Sequence, residues 1–172
     1  MMIEILENPK TNNYLQFKYN IQSFRFPLFY ESESTRFEVP GHSNIPYYVH
    51  EIIKRPERNN LSMPMSVSPS INDATLVVQE IMEHNNIEFK TFLRMCVNAV
   101  HPFPEVLKTV PHTDHDYDHK NFILYFTSAG GKTVVEDESY DPVEDSAIIF
   151  SGEHYHETPK SERRVVLVAT YI

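Results

Sequence analysis

The stretch NFILYFTSAGGKTVVEDESYDPVEDSAIIFSGEHYHETPKSERRVVLVATYI, residues 121–172, decides the fold. Within it the runs NFILYFT (121–127), KTVVED (132–137), SAIIFSG (146–152) and RRVVLVATYI (163–172) are rich in Val, Ile, Phe and Tyr and are bounded by Gly, Pro, Ser or Asp. β-Branched and aromatic side chains suit a pleated, packed surface, and turn residues end it, so each run reads as a strand. Working outward, TFLRMCVNAV (91–100) adds a fifth, and no helical periodicity intervenes from residue 89 onward. Closely spaced strands with turns between them predict an antiparallel sandwich or small barrel of the jelly-roll type. The fold class is therefore mainly β with flanking helices, the helices coming from the N-terminal half.

That half is mixed. ATLVVQEIMEH (74–84) has helical spacing, with Leu76, Val77, Ile81 and Met82 able to share one face and with Ser70 and Asp73 as a weak capping-box-like start. FKYNIQSFRFPLFY (17–30) is aromatic-rich, and RPERNNLSMPMSVSPS (55–70) gathers Pro, Ser and Asn like a long surface loop, either a lid or a disordered excursion. With 172 residues, one domain is expected: a mixed helical and strand elaboration over 1–88 on a β-barrel core over 89–172. Only 4 Gly stand against 12 Pro, 11 Phe and 10 Tyr, which favours stiff turns and aromatic packing over a flexible chain.

The 15 Lys and Arg against 24 Asp and Glu leave a net charge of −9, which makes nucleic acid a poor default partner. The single cysteine, Cys96, excludes an internal disulfide framework and fits a reducing compartment. The start MMIEILENPKTNNY has no basic-then-apolar leader pattern, and no long apolar run follows. A cytoplasmic protein without a membrane partner is expected.

Metal-competent side chains crowd into PHTDHDYDHKN (111–121) and reappear in GEHYHE (152–157). On an extended segment residues i and i+2 point the same way, so His112 and Asp114 can present an imidazole and a carboxylate to one ion. A histidine from a distant strand, His154 or His156, would complete a facial two-histidine, one-carboxylate set whose open positions suit non-heme Fe(II). An isolated H-x-D is more often a pair of solvated loop residues, so order and context carry the weight. Other matches fail. The acidic triplet Asp114, Asp116 and Asp118 imitates an EF-hand loop, but the sixth and twelfth places hold His119 and Tyr125. GGKT (130–133) imitates a P-loop, but Phe126 stands where the earlier glycine belongs. Cys96 lies inside an apolar strand, the setting of an inert thiol.

From about Phe89 to Ile172 the segments FLRMCVN, PHTDHD, ILYFTSAGGKTVV, DSAIIFSGEHYHE and RRVVLVATY follow an order that resembles the prolyl-hydroxylase-like group of 2-oxoglutarate- and Fe(II)-dependent oxygenases. The resemblance implies a double-stranded β-helix and a hydroxylase that uses Fe(II), 2-oxoglutarate as cosubstrate and O₂. It implies His112, Asp114 and His156 as iron ligands, with His154 the rival for the distal place. Arg164 would bind the far carboxylate of 2-oxoglutarate with help from the Tyr125 hydroxyl, and Thr133 is a candidate pocket wall. The implied reaction hydroxylates an unactivated C–H bond of a prolyl or other peptide side chain, or of a small metabolite. A cupin-like metal enzyme without 2-oxoglutarate and a non-catalytic metal- or ligand-binding barrel are the competing readings.

An extended path from His156 to Arg164 would span about 26 Å, too far for one small molecule, so the chain must turn back. Pro159, Lys160 and Ser161 predict a hairpin centred near Lys160 that sets Arg164 beside the site and Arg163 on the opposite face.

Overall fold

Alternate side chains along the central strands join two different buried layers. A computed structural model describes residues 3–34 and 39–172. In chain order its elements are β1 (Glu4–Leu6), α1 (Asn12–Gln22), β2 (Phe29–Glu31), β3 (Tyr47–Lys54), β4 (Met65–Ser66), α2 (Ile71–His84), β5 (Phe92–Val100), β6 (Lys120–Tyr125), β7 (Thr133–Val135), β8 (Glu138–Tyr140), β9 (Ala147–Phe150), β10 (His154–His156) and β11 (Arg164–Tyr171). All strand pairs are antiparallel. The large sheet runs β1-β9-β6-β11-β5-β3-β2, with β4 on β3, and a small sheet runs β10-β7-β8. Residues 107–112 widen the small sheet: Thr158 N–H donates to Leu107 O, Thr109 N–H to His156 O, and His112 and His154 exchange both backbone bonds at 3.0 Å.

The five strands expected from the sequence are present. β11 is buried along its whole length because both faces are covered. On one face Val165, Leu167, Ala169 and Tyr171 join Phe122, Leu124 and the helices in one core. On the other, Val166 and Val168 meet Cys96, Ile123, Tyr125 and Phe150 between the sheets. The N-terminal half contributes to the same sheet, since β1 pairs with β9 and β3 with β5.

α1 begins before the aromatic-rich segment and ends inside it. The Thr11 hydroxyl accepts from Tyr14 N–H at its start, and Tyr14, Phe17 and Ile21 are buried, with Tyr14 stacked on Phe126 at 6.1 Å. α2 matches the expected helix, but its inner face is Ala74, Val77, Val78, Ile81 and Met82. Leu76 is exposed, because Ala74 and Val78 turn the centre of the buried stripe away from it. Ser70 makes no side-chain cap bond. Asp73 in the first turn still complements the positive end of the helix.

The region 55–70 is neither lid nor excursion. It folds back to add β4 to β3, and its first residues dock against the segment 114–115. The hairpin near Lys160 is also absent: β10 belongs to the small sheet and β11 to the large one, so residues 157–163 cross between sheets. That crossing leans on the Gly-Gly turn, whose Gly130 and Gly131 have φ of 71° and 81°. A Cβ on Gly131 would lie 2.6 Å from Thr158 O and 2.7 Å from Glu157 O, whereas one on Gly130 would meet only the Lys160 side chain at 3.5 Å.

Gly131→Ala is therefore expected to lower unfolding free energy by at least about 2 kcal/mol, combining left-handed strain with a backbone clash, and Gly130→Ala by about 1 kcal/mol from strain alone. Urea denaturation of both variants measures the difference, and equal losses would contradict it.

Candidate active site

Because side chains alternate, β5, β6 and β11 send Arg94, Asn98, Asn121, Tyr125 and Arg164 to the face that looks toward the small sheet. They line a cavity of about 120 Å³ between the sheets. Across it, His112 comes from the widening segment and His154 and His156 from β10.

The side chains that converge are His112, Asp114 and His154, whose ligand atoms lie within 4.8 Å of one another. His156 is outside this set, contrary to the expectation that it rather than His154 would complete the trio. The reason is register. His112 and His154 sit opposite each other as a bridge pair, with ring centroids 4.5 Å apart, whereas His156 is one step further along the strand, at 6.4 Å from His112. Its Nδ1 instead pairs with Thr133 Oγ1 at 2.9 Å, and Thr133 Oγ1 with the Tyr125 hydroxyl at 2.8 Å.

The trio is prepared for a divalent ion. His112 Nδ1–H donates to Val110 O at 2.8 Å and His154 Nδ1–H to Gly152 O at 3.3 Å, which leaves each Nε2 lone pair free. Burial, together with the neighbouring His112, lowers the His154 pKa to about 4, so its imidazole is neutral near pH 7. Burial works to raise the Asp114 pKa, but Arg94, His154 and Arg55 outweigh it and hold the carboxyl well below the usual range. Two histidines and one ionised carboxylate fit Fe(II) or a related ion.

Arg164 is buried and lines the same cavity, carried there by a crossing between sheets rather than by the expected hairpin. Its Nη1 donates to Gly131 O at 2.7 Å and to Glu157 O at 2.9 Å. Arg163 is exposed. Burial raises the Tyr125 pKa, so its hydroxyl keeps its proton. Thr133 does line the cavity.

Sequence reasoning missed Arg55 and Arg94. Arg55 Nη2 and Arg94 Nη1 both donate to Asp114 Oδ1, at 2.9 and 2.8 Å. It also missed Asn121, which is 1% exposed, lines the cavity and has no partner for either amide atom among the described residues. The signal for Arg94 and Asn98 was their even spacing on an apolar strand. Nothing local marked Arg55. His115, beside Asp114, points away from the trio: Nδ1 pairs with Glu57 and Nε2 with Thr170 Oγ1 at 2.7 Å.

No family model and no curated protein sequence matches the chain. Solved structures do. An oxidoreductase of the 2OG-Fe(II) oxygenase family from Burkholderia pseudomallei superposes with a TM-score of 0.68 at 13% identity, over 98% of this chain and 84% of that one. The chain has the double-stranded β-helix fold of the 2-oxoglutarate- and Fe(II)-dependent oxygenases. A Trichoplax adhaerens prolyl hydroxylase in complex with a hypoxia inducible factor peptide gives 0.59 at 15% identity, covering 99% and 83%. A Pseudomonas putida prolyl-4-hydroxylase gives 0.52 at 13%, covering 99% and 91%. In this double-stranded β-helix Arg94, which holds Asp114, lies opposite Thr170 near one end of β11, and Arg164 is at the other end of that strand.

The neutral imidazoles make stability depend on pH. His154 and His156 are both held below the unfolded-state value of 6.5, by burial first, and then by the neighbouring His112 for His154 and by His154 and Arg164 for His156. The unfolded chain therefore binds more protons than the folded one below about pH 6.5, and stability falls as pH drops from there toward 4. Metal-free protein should lose about 1 to 3 kcal/mol across that window, and His156→Gln should flatten the slope. Denaturant midpoints measured from pH 7 to pH 4.5 test this, and a pH-independent midpoint would contradict it.

Proposed function

We propose that this chain is an Fe(II)- and 2-oxoglutarate-dependent dioxygenase that hydroxylates an unactivated C–H bond. The observation that carries the reading is one cavity with a two-histidine, one-carboxylate trio at one end and a buried arginine at the other. In this reading His112, Asp114 and His154 hold the iron, so the distal place passes from His156 to His154. Bound Fe(II), with 2-oxoglutarate and O₂, supplies the oxidising power, the cosubstrate leaving as succinate and CO₂.

The remaining work belongs to the chain. Arg164 spends Nη1 on two carbonyls, which anchors the guanidinium and leaves its other edge for the far carboxylate of the cosubstrate. Tyr125 and Thr133 stand beside it as hydroxyl donors, and His156 is tied to Thr133 as part of the same wall. Ile123, Phe150, Val166 and Val168 make the walls apolar, which excludes water and strengthens the polar contacts made inside. Ile45 and Tyr47 also line the cavity and come from the N-terminal half. The proposed substrate is a prolyl or other peptide side chain, or a small metabolite. A peptide accompanies one structural neighbour, the Trichoplax prolyl hydroxylase. No helix among the described residues is long and apolar enough to cross a membrane, and a cytoplasmic location is proposed.

A metal enzyme that does without 2-oxoglutarate would leave Arg164 only its bonds to Gly131 O and Glu157 O, and measurement separates the two. Anaerobic Fe(II) and 2-oxoglutarate are expected to give the weak visible absorption of a metal-bound keto acid, and air is expected to release succinate slowly without substrate. Iron bound with neither signal would exclude the cosubstrate.

Variants assign the residues. His112→Ala and His154→Ala should each lose at least about 100-fold in Fe(II) affinity, since removing a ligand exceeds the loss seen for outer partners, whereas His156→Ala should keep its metal. Loss of iron in His156→Ala with retention in His154→Ala would restore the sequence-based choice. Arg164→Ala should weaken 2-oxoglutarate binding about 30-fold or more, and Arg163→Ala should leave it near normal.

A further inference from the structure

Asp114 is held more elaborately than a ligand carboxylate requires. Its Oδ1 accepts from both Arg55 and Arg94, and Arg55 Nη1 also donates to the Asp114 backbone carbonyl at 2.5 Å. Among the described residues its Oδ2 has no hydrogen-bond partner, and it lies 3.8 Å from His154 Nε2. Asp114 and Arg55 are buried, and Arg94 is only 18% exposed at its side chain.

By charge alone this arrangement opposes a cation, because two guanidiniums on one carboxylate leave a positive charge in excess beside the trio. By geometry it favours one. A carboxylate free to rotate can offer either oxygen or both, and ordering it on binding costs entropy. With Oδ1 occupied by two charge-assisted bonds, Oδ2 alone is left facing the histidines. Arg55 is itself secured, since Glu57 pairs with His115 and the Asn59 amide donates to Arg55 O at 2.9 Å.

Resting on the metal reading above, we infer that Arg55 and Arg94 are positioning residues that reserve Oδ2 of Asp114 for the metal and make the carboxylate a one-oxygen ligand. Their orienting effect outweighs their repulsion. The two effects have opposite signs, so metal affinity decides between them.

The test is Mn(II) titration calorimetry on the full chain, without 2-oxoglutarate or O₂, with the absorption spectrum of bound Co(II) reporting coordination number. Arg94→Gln removes one clamp from a strand and leaves Arg55 on the carboxylate, so the fold is kept even where Arg55 variants do not fold. It should bind Mn(II) about 10- to 100-fold more weakly and change the Co(II) spectrum. Arg94→Lys, which keeps a charged donor, should recover part of the loss. Mn(II) binding that is tighter or unchanged in Arg94→Gln, with the Co(II) spectrum preserved, would overturn the inference. Failure of the unsubstituted protein to bind Mn(II) would instead overturn the metal reading, and needs no variant to detect.

Discussion

An ionised carboxylate out of water is the constraint around which the site is organised. Removing such a group from solvent costs several kcal/mol unless partners replace the lost hydration. Asp114 recovers that from Arg94 on β5 and from Arg55 just beyond the end of β3. Both arginines reach it only if β3 is in register against β5 and the segment carrying His112 and Asp114 is bridged to β10 at His154. The pairing of the two chain halves and the construction of the trio are thus one packing problem.

Polarity is partitioned by the strands themselves. The face of the large sheet toward the helices is apolar, while the face toward the small sheet collects Arg94, Asn98, Asn121, Thr170 and Arg164 among valines and isoleucines. An acidic chain keeps its arginines inside at this point and its acids mostly outside. The two ends of the cavity differ in chemistry, with a carboxylate and imidazoles at one and a guanidinium at the other, and the line from His156 through Thr133 to Tyr125 runs at the Arg164 end. Asn121, buried with an unmatched donor and acceptor, leaves hydrogen-bonding capacity facing the same space.

The likeness to solved oxygenases at 13 to 15% identity has a physical basis in that partition. A double-stranded β-helix needs alternation along the strands, turns between them, and small residues where segments cross closely. Gly131, under the carbonyls of Glu157 and Thr158, is such a place. Many sequences meet these demands, so the fold is recognisable where residue-by-residue identity is not.

The sequence by itself determined the strands, the jelly-roll class and the shared face of His112 and Asp114. All of these follow from local patterns: period-two alternation, turn residues, and the rule that i and i+2 share a face. It named His156 over His154 on resemblance alone, because the two have the same parity. Their difference is set by which of them lies opposite His112, a matter of register between segments about forty residues apart in the chain. It had no means of finding Arg55, which is 59 positions from Asp114 and looked like the start of a surface loop. The expected hairpin failed for the same reason, since a turn at Pro159 to Ser161 says that the chain reverses and not which sheet receives it. Which histidine lies opposite His112, which sheet receives the chain and what partners the buried carboxylate are tertiary matters, because register, crossing and the partner of a buried charge are set by how two sheets pack over one cavity, and packing is non-local.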